Sequence, residues 1–153
     1  MNKGLFAGSF DPFTKGHADI VTRGLSLFDT LLIAIGHNGQ KGSGWIPVEE
    51  RVRALREFYK EEPRIEVASY CGLTVDFALQ QGVNTMLRSI RSIRDYEYEQ
   101  EIAHTNRLLS GLDTVILFAD PTLASLSSSM VRELVHYGKS IEQWIPEGLQ
   151  YRL

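Results

Sequence analysis

The chain has 153 residues, of which 43% are hydrophobic and 23% charged, a composition typical of one globular domain occupying residues 1–153. Lys and Arg number 16 against 19 Asp and Glu, and the net charge of −3 argues against a nucleic-acid partner, since nucleic-acid-binding proteins are usually basic. The single cysteine, Cys71, excludes an internal disulfide bond, and no apolar run reaches the roughly 18–20 residues of a membrane helix, so we expect a cytoplasmic protein without a membrane partner.

Short apolar runs alternate with segments of helical spacing along the chain. The predicted strands are 5–7, 31–35, 65–68, 85–88 and 115–118, and the predicted helices are 17–28, 49–59, 75–81, 96–109 and 130–137. This alternation predicts an α/β fold, a Rossmann-like doubly wound parallel sheet with helices on both faces. Ligands of such folds bind in the loops at the carboxyl ends of the strands, so candidate site residues are sought there.

The loop after the first strand reads GSFDPFTKGH, from Gly8 to His17. Gly8 permits close approach of a ligand to the backbone, and the Ser9 hydroxyl can donate a hydrogen bond. His17 lies near a helix start, where free N–H groups and the helix dipole favour an anion. The loop is therefore a candidate phosphate site, although a Gly-His pair taken alone is more typical of a simple turn at a helix start.

Two further polar stretches follow later strands. Residues 88–99 read RSIRSIRDYEYE, in which Arg88, Arg91 and Arg94 offer guanidinium donors suited to phosphate oxygens. A solvated surface cluster paired with the acidic residues of 95–99 is the alternative interpretation. Residues 126–133 read LSSSMVRE, in which three serines can cap the last predicted helix.

These three stretches resemble the signatures of the nucleotidylyltransferase superfamily. The first is similar to the pattern S/T-F-D-x-x-T/H-x-G-H, the second to R-G-L-R-x-x-x-D-F/Y-E-Y-E, and the third to I-S-S-S/T-x-V/I-R-E/K. Thr14, at the first position of T-x-G-H, resembles the bacterial phosphopantetheine adenylyltransferases, whereas sibling enzymes usually have His there. Two departures are visible: Ser89 stands where these enzymes usually have Gly, and no aromatic residue lies near Leu123.

The resemblance implies roles for individual residues. His17 would contact the ATP phosphates and stabilise the transition state, and the two helix starts at His17 and Ser129 would face one triphosphate. Thr74, also predicted as the N-cap of the third helix, would bind the acceptor together with Ser9, Lys41 and Arg88. The implied ATP-binding residues are Ser9, Phe10, His17, Ser89, Ile90, Arg91, Glu99, Leu123, Ala124, Ser125, Leu126, Ser127, Ser128 and Ser129.

The resemblance also implies a reaction, namely reversible transfer of AMP from ATP to 4′-phosphopantetheine. The products would be dephospho-coenzyme A and pyrophosphate, formed by in-line attack without a covalent intermediate in the penultimate step of coenzyme A synthesis. It further implies Mg²⁺ held mainly by the triphosphate, feedback binding of coenzyme A and a homohexamer. The alternatives are a sibling adenylyltransferase acting on another phosphate, such as nicotinate mononucleotide, and a nucleotide-binding regulator without catalysis.

Overall fold

The computed structural model describes residues 1–39 and 44–153, in which strands and helices alternate. The strands are β1 (Lys3–Gly8), β2 (Thr30–Gly36), β3 (Ile65–Tyr70), β4 (Thr85–Ile90) and β5 (Asp113–Phe118). The helices are α1 (Lys15–Gly24), α2 (Val48–Phe58), α3 (Thr74–Gln80), α4 (Ile93–Ser110) and α5 (Ser128–His136). Every predicted strand and helix is present. None of the described helices combines the length and apolar character needed to cross a membrane.

The five strands form one parallel sheet in the order β3–β2–β1–β4–β5. Side chains alternate between its two faces, as the pleat of a strand requires. Phe6 and Ile33 pack on one face against α1 and α2, whereas Leu5 and Leu32 pack on the other against α3. The predicted doubly wound α/β sheet is therefore confirmed, with an apolar core on each side.

Strand β2 contributes side chains to both cores. Its residues Leu31–Ile35 are at most 1% exposed, which agrees with the uninterrupted apolar run in the sequence. Full burial of each Leu or Ile side chain stabilises the fold by about 1.5–3 kcal/mol. The sheet is consequently a rigid base for the loops at its carboxyl edge.

Two helix boundaries differ by more than two residues from those predicted. Helix α1 ends at Gly24, four residues early, where a Cβ atom would lie 2.8 Å from the Leu87 side chain, so the chain here presses directly on β4. Helix α4 begins three residues early, at Ile93, because the Ser92 hydroxyl caps it by accepting from the Asp95 amide.

The predicted N-cap at Thr74 is wrong. Thr74 is the first residue of α3, and the capping position is occupied by Leu73, whose side chain makes no capping hydrogen bond. The Thr74 hydroxyl instead lies 2.7 Å from the Tyr70 hydroxyl. The chain thus uses this hydroxyl to connect the start of α3 with the end of β3.

The sheet opens between β1 and β4. Their pairing covers Gly4 to Phe6 against Thr85 to Leu87, although β1 continues to Gly8 and β4 to Ile90. The strands that follow each of them in the chain lie on opposite sides, because β2 adjoins β1 and β5 adjoins β4. This is the switch point at which open parallel sheets form a crevice.

Residues after α5 pack back on the loop that follows β1. Ile145 and Leu149 are buried in the same core as Phe13. The Trp144 carbonyl accepts from the Lys15 amide at 3.0 Å, and the Tyr151 hydroxyl accepts from the Phe13 amide at 3.1 Å. The last part of the chain therefore supports the first loop of the crevice.

Gly4 allows the Phe28 ring to lie directly against β1, since a Cβ atom there would be 2.7 Å from the ring. We expect Gly4→Ala to destabilise the chain by about 1–3 kcal/mol, as overpacking does. Urea denaturation would measure this, and the loss should be smaller in a Phe28→Leu background. A Gly4→Ala variant within about 0.5 kcal/mol of wild type would contradict this packing.

Candidate active site

His17 is the third residue of α1 and is held by a reciprocal pair of hydrogen bonds with Thr14. The Thr14 amide donates to Nδ1 of His17 at 3.0 Å, and the His17 amide donates to the Thr14 hydroxyl at 3.4 Å. A backbone amide can only donate, so Nδ1 is the acceptor and the neutral ring carries its hydrogen on Nε2. The T-x-G-H stretch thereby fixes both the tautomer and the orientation of the imidazole.

The surroundings of His17 keep the ring uncharged. Burial is the main cause and the neighbouring positive charges of Arg88 and Arg91 add to it, and together they lower the pKa of His17 from 6.5 to about 3. The ring of Phe10 packs edge-on against the imidazole at a centroid distance of 4.9 Å. His17 is therefore a neutral, immobilised hydrogen-bond donor at neutral pH.

The start of α1 offers fewer free amides than expected. The Phe13 amide donates to Tyr151, the Thr14 amide to His17 and the Lys15 amide to Trp144. The expectation of free N–H groups is thus wrong for these three positions. The imidazole of His17 supplies a further donor at this helix start.

The start of α5 keeps its donors. Ser127 is the N-cap and accepts from the Met130 amide at 3.1 Å, and the Ser128 hydroxyl donates to the Pro12 carbonyl at 2.7 Å. Within residues 1–39 and 44–153, no protein group accepts from the amides of Ser128 and Ser129. Unpaired amides at a helix start, together with the helix dipole, are suited to an anion.

Arg88 spans the opening between β1 and β4. Its guanidinium donates to the Ala7 carbonyl at 2.5 Å and makes a two-point ion pair with Glu99 of α4, at 2.8 and 2.6 Å. Glu99 is 5% exposed, so its charge requires this partner. Arg88 is therefore paired with an acidic residue, as the interpretation of a surface cluster predicts. The pair is not a solvated surface pair, however, because Glu99 is buried.

Arg91 forms a second connection across the crevice. It lies 3.3 Å from the Asp95 carboxylate and donates to the Leu126 carbonyl, also at 3.3 Å. This joins the start of α4 to the segment that leads into α5. Arg88 and Arg91 of the second motif therefore lie at the crevice, whereas Arg94, the third arginine of the motif, is exposed and lines neither cavity among the described residues.

Two cavities adjoin at this arginine group. The first, about 360 Å³ in volume, lies between the carboxyl ends of β1 and β4 and the start of α5. It brings together these sequence-predicted residues: Ser9, Phe10, His17, Arg88, Ser89, Arg91, Glu99, Leu123, Leu126, Ser127 and Ser128. The second, about 260 Å³ in volume, lies beside α3 and α4 and shares Ala7, Gly8, Arg88, Tyr98 and Glu99 with the first.

Comparison with known proteins identifies the family. The family model described as cytidylyltransferase-like matches residues 5–134. The phosphopantetheine adenylyltransferase of Bacteroides fragilis is 47% identical over 150 residues, covering 98% of this chain and 99% of the relative, and that of Porphyromonas gingivalis is 50% identical over 147 residues, covering 96% and 95%. This chain belongs to the phosphopantetheine adenylyltransferase family.

Solved structures show that other nucleotidyltransferases share the fold of this family. A bifunctional NMN adenylyltransferase/ADP ribose pyrophosphatase from Francisella tularensis, complexed with AMP and a Mn ion, superposes with a TM-score of 0.68 at 12% identity. The match covers 98% of this chain and 46% of that protein. The fold is therefore common to enzymes whose sequences differ widely.

Several predicted residues lie apart from the two cavities of this adenylyltransferase. Among the described residues, Ile90, Ala124, Ser125 and Ser129 line neither cavity. Ile90 is buried in the sheet, and its carbonyl accepts from the Ala119 amide. The predicted acceptor ligand Thr74 lines the second cavity, whereas Lys41 lies outside the described residues.

Part of the lining of the second cavity was not predicted from the sequence. Tyr98, Ile102 and Asn106 line it from α4, and Leu73 lines it from the start of α3. Tyr98, Ile102 and Asn106 are spaced four residues apart, which places them on one helix face. That spacing is the signal that could have linked them to Glu99.

His17 should make the stability of this adenylyltransferase fall towards acid pH. Its pKa is about 3 in the folded chain against an ordinary value of 6.5, so between these values the unfolded chain binds more protons. The free energy of unfolding therefore decreases as the pH falls from 6.5 towards 3, and the loss is absent above 6.5.

Urea titrations at a series of pH values would test this. His17→Asn should reduce the pH dependence over that window, and His136→Asn, at an exposed position, controls for losing a histidine elsewhere. Equal pH dependence in wild type and His17→Asn would contradict a half-buried ring that its surroundings keep neutral.

Proposed function

We propose that the chain transfers AMP reversibly from ATP to 4′-phosphopantetheine, releasing pyrophosphate and forming dephospho-coenzyme A in coenzyme A synthesis. The observation that carries this proposal is the pair of cavities that adjoin at Arg88 and Glu99. A transfer between two bound substrates requires two neighbouring subsites, and membership of the phosphopantetheine adenylyltransferases names the substrates.

The first cavity is the proposed ATP site. Nε2–H of His17 and the start of α5 at Ser127 and Ser128 approach it from different elements, and Arg91 adds a positive charge. These groups are fixed before the ligand arrives, so they stabilise charge that develops on the phosphates without reorganising. His17 acts in this proposal as a donor to the transferred phosphate and exchanges no proton.

The second cavity is the proposed acceptor site. Leu73, Met86 and Ile102 supply apolar surface, and Thr74 and Asn106 supply polar groups, which suits an extended acceptor with amide groups. Arg88 stands where the two cavities adjoin and is the proposed ligand of the acceptor phosphate, together with Lys41. The phosphate would then attack the α-phosphorus in line, and positioning provides most of the catalysis.

Mg²⁺ fits this site as a partner of the triphosphate. The two carboxylates of the first cavity, Asp95 and Glu99, are paired with Arg91 and Arg88. No group of three or more metal-binding side chains occurs in the part of the chain described here. We therefore propose that Mg²⁺ is carried by ATP, where it neutralises phosphate charge.

Coenzyme A contains the same pantetheine arm as the acceptor, so we propose that it binds the second cavity as a feedback ligand. The relatives' names support the phosphopantetheine reaction over a nicotinate mononucleotide enzyme. The fixed donor at His17 beside the start of α5 favours catalysis over a regulatory role. We place the protein in the cytoplasm as part of the same proposal.

An apolar surface on α4 and β5 supports assembly into the proposed homohexamer. Ile93 and Leu108 of α4 are 80% and 89% exposed, and Phe118 of β5 is 75% exposed. Helix α4 has 18 residues, of which Glu99 is the buried one. Apolar groups in such number are costly in water and are typical of a contact between subunits.

The reaction is tested by incubating the chain with ATP, Mg²⁺ and 4′-phosphopantetheine and analysing the products by mass spectrometry. We expect dephospho-coenzyme A and pyrophosphate, and no product from nicotinate mononucleotide. His17→Ala should lower kcat by about 10²–10³-fold because a transition-state donor is lost, while the control His136→Ala should not.

Three results would overturn these assignments. Product from nicotinate mononucleotide alone would indicate the sibling enzyme. Tight ATP binding without product from either acceptor would indicate a regulator. A His17→Ala variant with wild-type kcat would remove His17 from the reaction.

Sedimentation equilibrium tests the assembly. We expect a mass of six chains of 17.3 kDa each. Leu108→Glu should yield smaller species because it puts a charge on the α4–β5 surface, whereas Leu79→Glu on α3 should not. A monomeric wild-type chain would contradict the hexamer.

A further inference from the structure

The position of α5 depends on few contacts with the rest of the fold. Val131 is its buried residue, at 0% exposed. Ser128 and Arg132 lie on either side of Val131 in the sequence, and both reach the loop that follows β1. The Ser128 hydroxyl donates to the Pro12 carbonyl and the Arg132 guanidinium to the Asp11 carbonyl, each at 2.7 Å.

The loop that receives these bonds requires outside support. Phe10 has a φ of 48°, a left-handed conformation that is costly for a bulky side chain. Arg51 of α2 donates to the Ser9 carbonyl at 2.6 Å, and the Asp11 carboxylate accepts from the amides of Trp45 and Ile46. Arg132 therefore completes a set of donors that hold the loop from outside.

We propose that Arg132 is a positioning residue for the ATP phosphates, an inference that rests on the proposed function. Arg132 does not line either cavity among the described residues, so it acts through the groups that it holds. One nitrogen binds the Asp11 carbonyl, and the other lies 3.2 Å from the Ser129 hydroxyl. Arg132 thereby sets the distance between the start of α5 and the loop that carries His17.

The shape of the guanidinium matters for this role. Its planar fork reaches two acceptors that lie on different elements, Asp11 on the loop and Ser129 on the helix. The ammonium group of a lysine has its charge at one point and cannot span the two acceptors in the same way. A direct electrostatic contact with a phosphate would, in contrast, be preserved by lysine.

Steady-state kinetics of Arg132→Met, Arg132→Lys and the control Lys139→Met separate these roles. Each substrate is varied with the other saturating, and urea denaturation measures stability. For Arg132→Met we expect kcat/KM for ATP to fall about 10- to 100-fold, as misplaced catalytic groups do, with the KM for 4′-phosphopantetheine within about twofold of wild type. Arg132→Lys should restore part of this loss, and Lys139→Met should behave as wild type.

Specific kinetic results would contradict the positioning role of Arg132. Full activity in Arg132→Lys would indicate a charge contact and overturn the positioning role. Wild-type kinetics in Arg132→Met, or equal changes in both KM values together with lowered stability, would overturn it as well.

Calorimetric titration with ATP and Mg²⁺ alone tests the role of Arg132 through ATP affinity, which does not depend on turnover. Arg132→Met should bind ATP about tenfold or more weakly than wild type. If wild type binds ATP but forms no product, the proposed function fails, while the affinity ratio still tests Arg132. An unchanged ATP affinity would overturn the positioning role.

Discussion

The parallel pairing of β1 with β4 stops at Phe6 and Leu87, and the rest of the site depends on that end point. Beyond it the two strands continue without a shared ladder, and their connections depart to opposite sides of the sheet. Arg88 donates to the Ala7 carbonyl where the ladder has ended, so a side chain satisfies a strand carbonyl there. Arg88 therefore lines both cavities.

The site contains oriented hydrogen-bond donors rather than a large excess of positive charge. Arg88 is paired with Glu99 and Arg91 with Asp95, and His17 is neutral because it is buried beside these arginines. Beside these paired arginines, the first cavity offers an anion oriented N–H groups on the imidazole and at the start of α5. Such groups are most effective where water is excluded and the geometry is fixed. This arrangement suits an acidic chain with a net charge of −3 that handles a highly charged substrate.

The order of strands and helices could be predicted because β2 is apolar throughout and the helices have regular spacing. The convergence of His17 with Ser127 and Ser128 could be anticipated because both follow strands of one parallel sheet. Hydrogen bonds between distant segments could not be predicted, since no local sequence pattern indicates that the Lys15 amide donates to the Trp144 carbonyl. The roles of Arg132 and of the α1 amides therefore became visible only in three dimensions.

The bond from Phe13 to Tyr151 joins residues 138 positions apart. During synthesis on the ribosome, the loop that carries His17 emerges long before Trp144 and Tyr151 are made. A nascent chain can therefore form β1 and β2 before it contains the residues that hold the loop after β1 in place.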